Sequence, residues 1–284
     1  MTHLVGSLIA LDSDALIQYA SFLLMVSQAL KIDLTEQFRR LPRAPIVEAV
    51  IEMRARAEVP WEEATIRGRL TPLLPGYQKI ESQSEFEHEM QFGPGQDAVQ
   101  RHRDLGWRGL RCESADHLHI AQFNRDGFVF SRLRPYDHWE QFQGEAMRLW
   151  GIYQGLASPS GIQRLGLRFI NRIELPVDGP PPDDYLRMPS EVLAGMPLSR
   201  AGFFHRDVLA VPGYPYIITI VRTVQPIQVA GSKGFGLLLD IDVFSTESFE
   251  LGGDLLKQRL DEMRWLKNRA FFGSITEQAL ESFE

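Results

Sequence analysis

Arg164-Leu165-Gly166-Leu167-Arg168-Phe169-Ile170-Asn171-Arg172-Ile173-Glu174-Leu175 lies near the middle of a 284-residue chain and alternates with period two. Leu165, Leu167, Phe169, Ile173 and Leu175 point one way; Arg164, Arg168, Arg172 and Glu174 point the other. Successive side chains of a strand leave on opposite faces, so this is a half-buried strand with a strongly charged second face. Residues 46–56 repeat the pattern, with Val47, Ala49, Ile51 and Met53 on one face and Glu48, Glu52, Arg54 and Arg56 on the other. Each of these strands opens one half of the chain.

After the first comes a short helix from Pro60 carrying Trp61, Ile66 and Leu70, closed by Pro72 and Pro75-Gly76. Strands are expected over 79–92, 107–112, 117–123 and 128–134, the last two joined by an Asn124–Gly127 hairpin turn. Asp137 and Glu140 form a capping-box signal before a long helix striped with Trp139, Phe142, Ala146, Leu149, Tyr153 and Leu156. The second half repeats the order: strand 164–175, short helix 184–193, strands 203–211, 216–224 and 235–244, then a long helix over 254–270 bearing Leu256, Leu260, Met263 and Leu266. Gly273 ends that helix, and Ser274 with Glu277 caps a last short one.

The reading is α+β: a tandem duplication of a strand–helix–(three or four strands)–long helix unit, forming an antiparallel curved sheet with helices on one face. The halves are 41–160 and 161–284, packed as one unit behind an N-terminal extension, 1–40. In that extension Leu16, Tyr19, Leu23, Val26 and Leu30 have helical spacing, and Met25 offers an alternative start that would make the segment a translated leader. The element order resembles the TATA-binding-protein-like and helix-grip folds, a likeness that carries no function.

Composition is that of an ordinary globular protein, 44% apolar and 24% charged. A net charge of −7 disfavours unspecific nucleic-acid binding. One cysteine, Cys112, excludes an intramolecular disulfide and reads as a buried structural thiol. Ala15–Leu30 is too short and too interrupted to span a membrane, and no basic start precedes Leu4–Leu11. A cytoplasmic chain is expected.

If the halves superpose, Glu48 and Glu52 stand where Arg168 and Arg172 stand, and Arg132 and Arg134 match Asp240 and Asp242. Opposite signs at equivalent places give either cross-strand ion pairs or a concave surface whose arginines grip a carboxylate or phosphate. A second anion site is offered by Phe130–Trp139, where arginines and Tyr136 flank a helix N-terminus; its plainer reading is a strand end with Trp139 in the core. The candidate ligand-binding set is therefore Glu48, Glu52, Arg132, Arg134, Tyr136, Arg168 and Arg172. His117 and His119 share a strand face but need His102 or His88 to complete a metal site, so no metal is expected. Gly231–Gly234 lacks the phosphate-loop spacing, and no nucleophile elbow occurs. No catalytic residue and no cofactor are assigned.

Four stretches occur in order: LPRAPIVEAVIE (41–52), FSRLRPYDHW (130–139), RLGLRFINRI (164–173) and LKNRAFFGSIT (266–276). Together they resemble a sporadically distributed family of prokaryotic proteins with no established activity, over about residues 38–284. The resemblance implies membership without mechanism; patchy distribution is what accessory defence or toxin–antitoxin modules show. The expectation is a binding module recognising a protein partner or a small anionic ligand over its charged sheet. One rival is an enzyme on a phosphorylated or carboxylated molecule, with Arg132, Arg168 and Arg172 as clamp and Glu48 or Glu52 as acid or base. Another is nucleic-acid binding, which Asp240 and Asp242 oppose.

Overall fold

A computed structural model describes residues 30–91, 99–176, 179–187, 202–229, 232–250 and 252–284. The expected N-terminal helix and most of the 184–193 helix lie outside the described residues, as do the side chains of His88 and His102. Among the described residues nine strands form: β1 (Ile46–Arg54), β2 (Lys79–Gln91), β3 (Val99–Glu113), β4 (His119–Asn124), β5 (Gly127–Leu133), β6 (Arg164–Pro176), β7 (Phe204–Ala210), β8 (Ile217–Val229) and β9 (Ser232–Ser245). The helices are α1 (Glu63–Leu70), α2 (Trp139–Ala157), α3 (Gly253–Ser274) and α4 (Glu277–Glu281).

All nine strands join one antiparallel, curved, open sheet in the order β2-β3-β4-β5-β1-β6-β9-β8-β7. The two charged-face strands meet at its centre, with Ile51 opposite Leu167 and Val50 opposite Arg168. Outward from that seam run β1, β5, β4, β3 on one side and β6, β9, β8, β7 on the other, with β2 added beyond β3. The fold is α+β.

Period two now has a physical consequence. Ala49, Ile51 and Met53 of β1, Leu165, Leu167 and Phe169 of β6, Phe128 and Phe130 of β5, and Leu237 to Val243 at alternate positions of β9 are buried. Onto them α2 lays Phe142, Ala146, Leu149 and Tyr153, and α3 lays Leu256, Leu260, Met263 and Leu266. Each large apolar side chain so buried contributes roughly 1.5–3 kcal/mol of transfer free energy. Gly127 lets β5 approach β1: a Cβ there would lie 2.5 Å from the Met53 carbonyl oxygen.

Several boundaries differ from the sequence reading. A bulge between Ile46 and Glu48 puts Ile46 in the core and leaves Val47 only half-buried. β3 starts at Val99, and β4 only at His119, because His117 sits in a left-handed turn with φ 59°. The capping box before α2 does not form: His138 is the N-cap, no side chain caps it, and the Asp137 carboxylate turns to Arg132. A charge-assisted bond to a buried guanidinium outweighs one to a solvated backbone amide. α3 continues through Gly273 to Ser274, and α4 is capped by Thr276, whose hydroxyl accepts from the Ala279 amide. Only a 3₁₀ turn, Pro182–Asp184, opens the stretch expected to be helical from Asp184.

Residues 30–44 form a strap against α3. Phe38 stacks on Phe272 with centroids 5.7 Å apart, Trp265 donates its indole N–H to Glu36 at 2.7 Å, and Arg39 pairs with Glu277 at 2.6 Å.

Candidate functional site

Between the strap, the start of α2, α3 and the inner face of β6 lies a cavity of about 420 Å³. All four stretches singled out in the sequence reach it. They supply Leu41 and Ile46, then Tyr136 to Trp139, then Phe169 and Asn171, then Lys267, Asn268 and Phe271. Sheet alternation aims Phe169 and Asn171 inward, and helical spacing brings Lys267 and Phe271 to the facing side of α3. Asn171 is buried and donates to the Leu239 carbonyl at 3.0 Å, which fixes its amide.

Lys267 is the unusual group. It is 9% exposed, and among the described residues it has neither a hydrogen bond nor a carboxylate within ion-pair distance. Its Nζ lies 4.0 Å from the centroid of the Phe169 ring, a cation–π contact. Burial first, and the nearby Arg264 guanidinium second, push its ammonium down to about 7.

Around Lys267 the wall is cationic. Arg39, Arg40 and Arg264 line the cavity with it, beside the His138 ring and the carboxylates of Asp137 and Glu140, and Arg39 is also held by Glu277 and Glu284 outside the cavity. Both acids are engaged: Asp137 accepts from Arg132 at 2.7 Å, and Glu140 lies 3.6 Å from Arg264. Tyr136 packs edge-on against Phe142 and Phe169, and burial raises its phenol above the ordinary tyrosine range, so it keeps its proton.

The residues expected to act together are divided between the two sides of the sheet. Arg132 is on the helix side, opposite Ala49, buried behind Asp137, with its Nη1 lacking a hydrogen-bond partner. Tyr136 is on that side too. Glu48, Glu52, Arg168 and Arg172 belong to the open face. There Arg168 holds Asp240 with bonds of 2.8 and 2.5 Å, and Arg164 bridges Glu52 and Asp242. Arg172 and Arg134 share Glu174 at 3.0 and 3.4 Å. The open-face arginines of the set thus have carboxylate partners, and Arg168 pairs with a neighbouring strand rather than with Glu48 or Glu52.

On that open face a groove of about 680 Å³ is lined by Arg164, Arg168, Arg206, Asp240, Asp242 and Phe244 among others. Burial raises the Asp242 carboxyl above its ordinary value, opposed by Arg164 and Arg168. Arg206 has no ion-pair partner among the described residues.

Among the described residues no group of three metal-ligating side chains converges. The His117 ring meets Glu113, whereas His119 stacks on Phe130 with centroids 5.8 Å apart, so the two imidazoles do not share a site. Cys112 is buried, and burial pushes its thiol up to about 12, far from a reactive thiolate. Sequence reasoning passed over Lys267, Arg264 and Asn171. A signal for Lys267 existed: it continues the Leu256, Leu260, Met263 stripe of α3, where an apolar residue belongs.

No family model matches the sequence, and no curated protein does. Among the described residues, no helix is long and apolar enough to cross a membrane.

Proposed function

We propose that the chain is a binding module that takes a small anionic ligand into the cavity between α2, α3 and β6. The observation that carries this is the charge balance of the wall. Asp137 is held by Arg132, Glu140 by Arg264, and Arg39 by Glu277 and Glu284 outside the cavity, whereas Lys267 and Arg40 have no counter-ion among the described residues. A buried cation without a partner is costly, and an arriving anion supplies that partner. About 420 Å³ falls within the size range of small-molecule sites, roughly 300–1,000 Å³. The matching strand orders on the two sides of the β1–β6 seam support an origin by duplication, with the cavity lined by the long helices of both halves.

Thermal unfolding with sodium phosphate, glycolate and citrate tests the reading. A ligand at a hundred times its Kd stabilises by about 2.7 kcal/mol. At least one of these anions should raise Tm, the rise should vanish in Lys267→Met, and it should persist in Arg168→Ala. A rise retained in Lys267→Met overturns the reading.

A second reading keeps the ligand on the open face, and Arg206 favours it as the groove cation without a partner among the described residues. It requires Arg206→Ala to remove anion binding while Lys267→Met leaves it intact.

A further inference from the structure

We infer that Lys267 is an amine nucleophile that condenses with the carbonyl of a small anionic aldehyde or 2-oxo acid held in the cavity. This rests on the anion-binding reading above and adds a covalent step to it.

The residue type is the first observation. The chain has 30 lysines and arginines, of which five are lysines: Lys31, Lys79, Lys233, Lys257 and Lys267. In an arginine-rich chain the buried cation of the cavity is a lysine. Arginine matches a carboxylate better but keeps its proton under all ordinary conditions, whereas a desolvated lysine can lose it and become a nucleophile.

The surroundings are the second. The charged and titratable groups facing Lys267 across the cavity are Tyr136, Asp137, His138 and Glu140 from the start of α2, Arg264 from α3, and Arg39 and Arg40 from the strap; β6 adds only Phe169 and Asn171. Neither acid is within ion-pair distance to hold the ammonium, and Arg264 opposes it. Near pH 7 about half of Lys267 is then neutral amine, on the order of 10³-fold more than an ordinary lysine provides.

The step balances without a further reagent. The Nζ lone pair attacks the carbonyl carbon, a C–N bond forms, and the carbonyl π pair moves to oxygen, which takes a proton. The cationic nitrogen returns one of its two protons to the donor, and the other leaves with the hydroxyl as one water, which leaves the C=N bond. Tyr136, which keeps its proton in this cavity, is the hydroxyl donor available to the carbonyl oxygen, and the wall arginines face the substrate's anionic group.

The test uses the full chain with glyoxylate and borohydride at pH 7. Reduction converts the imine to carboxymethyl-lysine, located by peptide mass spectrometry. Lys267 is expected to be labelled at least about tenfold faster than Lys31, Lys79 and Lys257, given its neutral-amine fraction. Labelling no faster than at those three overturns the inference. Glycolate, which lacks the carbonyl, separates the two claims. If glycolate raises Tm through Lys267 while glyoxylate fails to label it, anion binding stands and the covalent step falls. If glycolate, phosphate and citrate all leave Tm unchanged and Lys267 is not labelled, both fall.

Discussion

The ammonium of Lys267 sits 4.0 Å from the centre of the Phe169 ring, and that ring is its only described partner. Phe169 comes from the strand at the middle of the sheet and Lys267 from the last long helix, so the contact joins the centre of the fold to the wall of the cavity.

The contact implies a distinctive pH dependence. Folding lowers the lysine from 10.5 to about 7, so between these values the unfolded chain binds more protons than the folded one. Stability therefore rises with pH through that window, and the penalty is fully present below it. Each tenfold loss of proton affinity on folding is worth about 1.4 kcal/mol, so Lys267→Met should be more stable than the wild type at pH 6 by a few kcal/mol. That advantage should shrink toward pH 9.5. Urea titrations at several pH values check this. A difference independent of pH would show that the amine is solvated when folded.

Asp261 ties the two long helices together. Its Oδ1 accepts from the Trp139 indole at 2.9 Å and from the Gln143 amide at 3.0 Å. Asp261→Leu leaves both donors without their partner beside the cavity mouth. It should cost about 2 kcal/mol in chemical denaturation, and weaken anion binding if α2 and α3 separate.

Arg132 and Asp137 are unequal partners. The arginine side chain is 8% exposed and the aspartate 51%, so removing the aspartate strands a buried charge whereas removing the arginine does not. Asp137→Ala should destabilise by about 1–3 kcal/mol, and Arg132→Met by less, compared in the same urea titration.

The open-face pairs are expected to matter little to stability. Arg168 is 49% exposed, so solvent screens its bond to Asp240. A double-mutant cycle on Arg168 and Asp240 should give a coupling of about 0.2–1 kcal/mol that falls in high salt.

Cys112 should resist iodoacetamide in the native protein and react once urea exposes it, since burial both hides the thiol and keeps it protonated.

Periodicity made most of the fold legible. Alternation in 164–175 and 46–56 marks the central strands, and the stripes on α2 and α3 mark the helices that cover them. Local signals failed where a distant partner competed for the same group. Asp137 has the look of a capping residue until the buried Arg132 is placed beside it. The bulge that exchanges Ile46 for Val47 depends on pairing with β6, which no local pattern records. The candidate site was half legible. Tyr136 and the 130–139 run line or back the cavity, but grouping Arg132 with Arg168 required knowing which side of the sheet each occupies. Lys267 was hidden because a charged residue on an otherwise apolar stripe looks like an exposed one until the strap closes over it.

The most direct measurement is native mass spectrometry of the purified chain as wild type, Lys267→Met and Arg168→Glu, each read for a retained small molecule. An anion carried by the wild type and by Arg168→Glu but absent from Lys267→Met is the expected result. Retention by Lys267→Met with loss from Arg168→Glu would contradict it and place the ligand on the open face of the sheet.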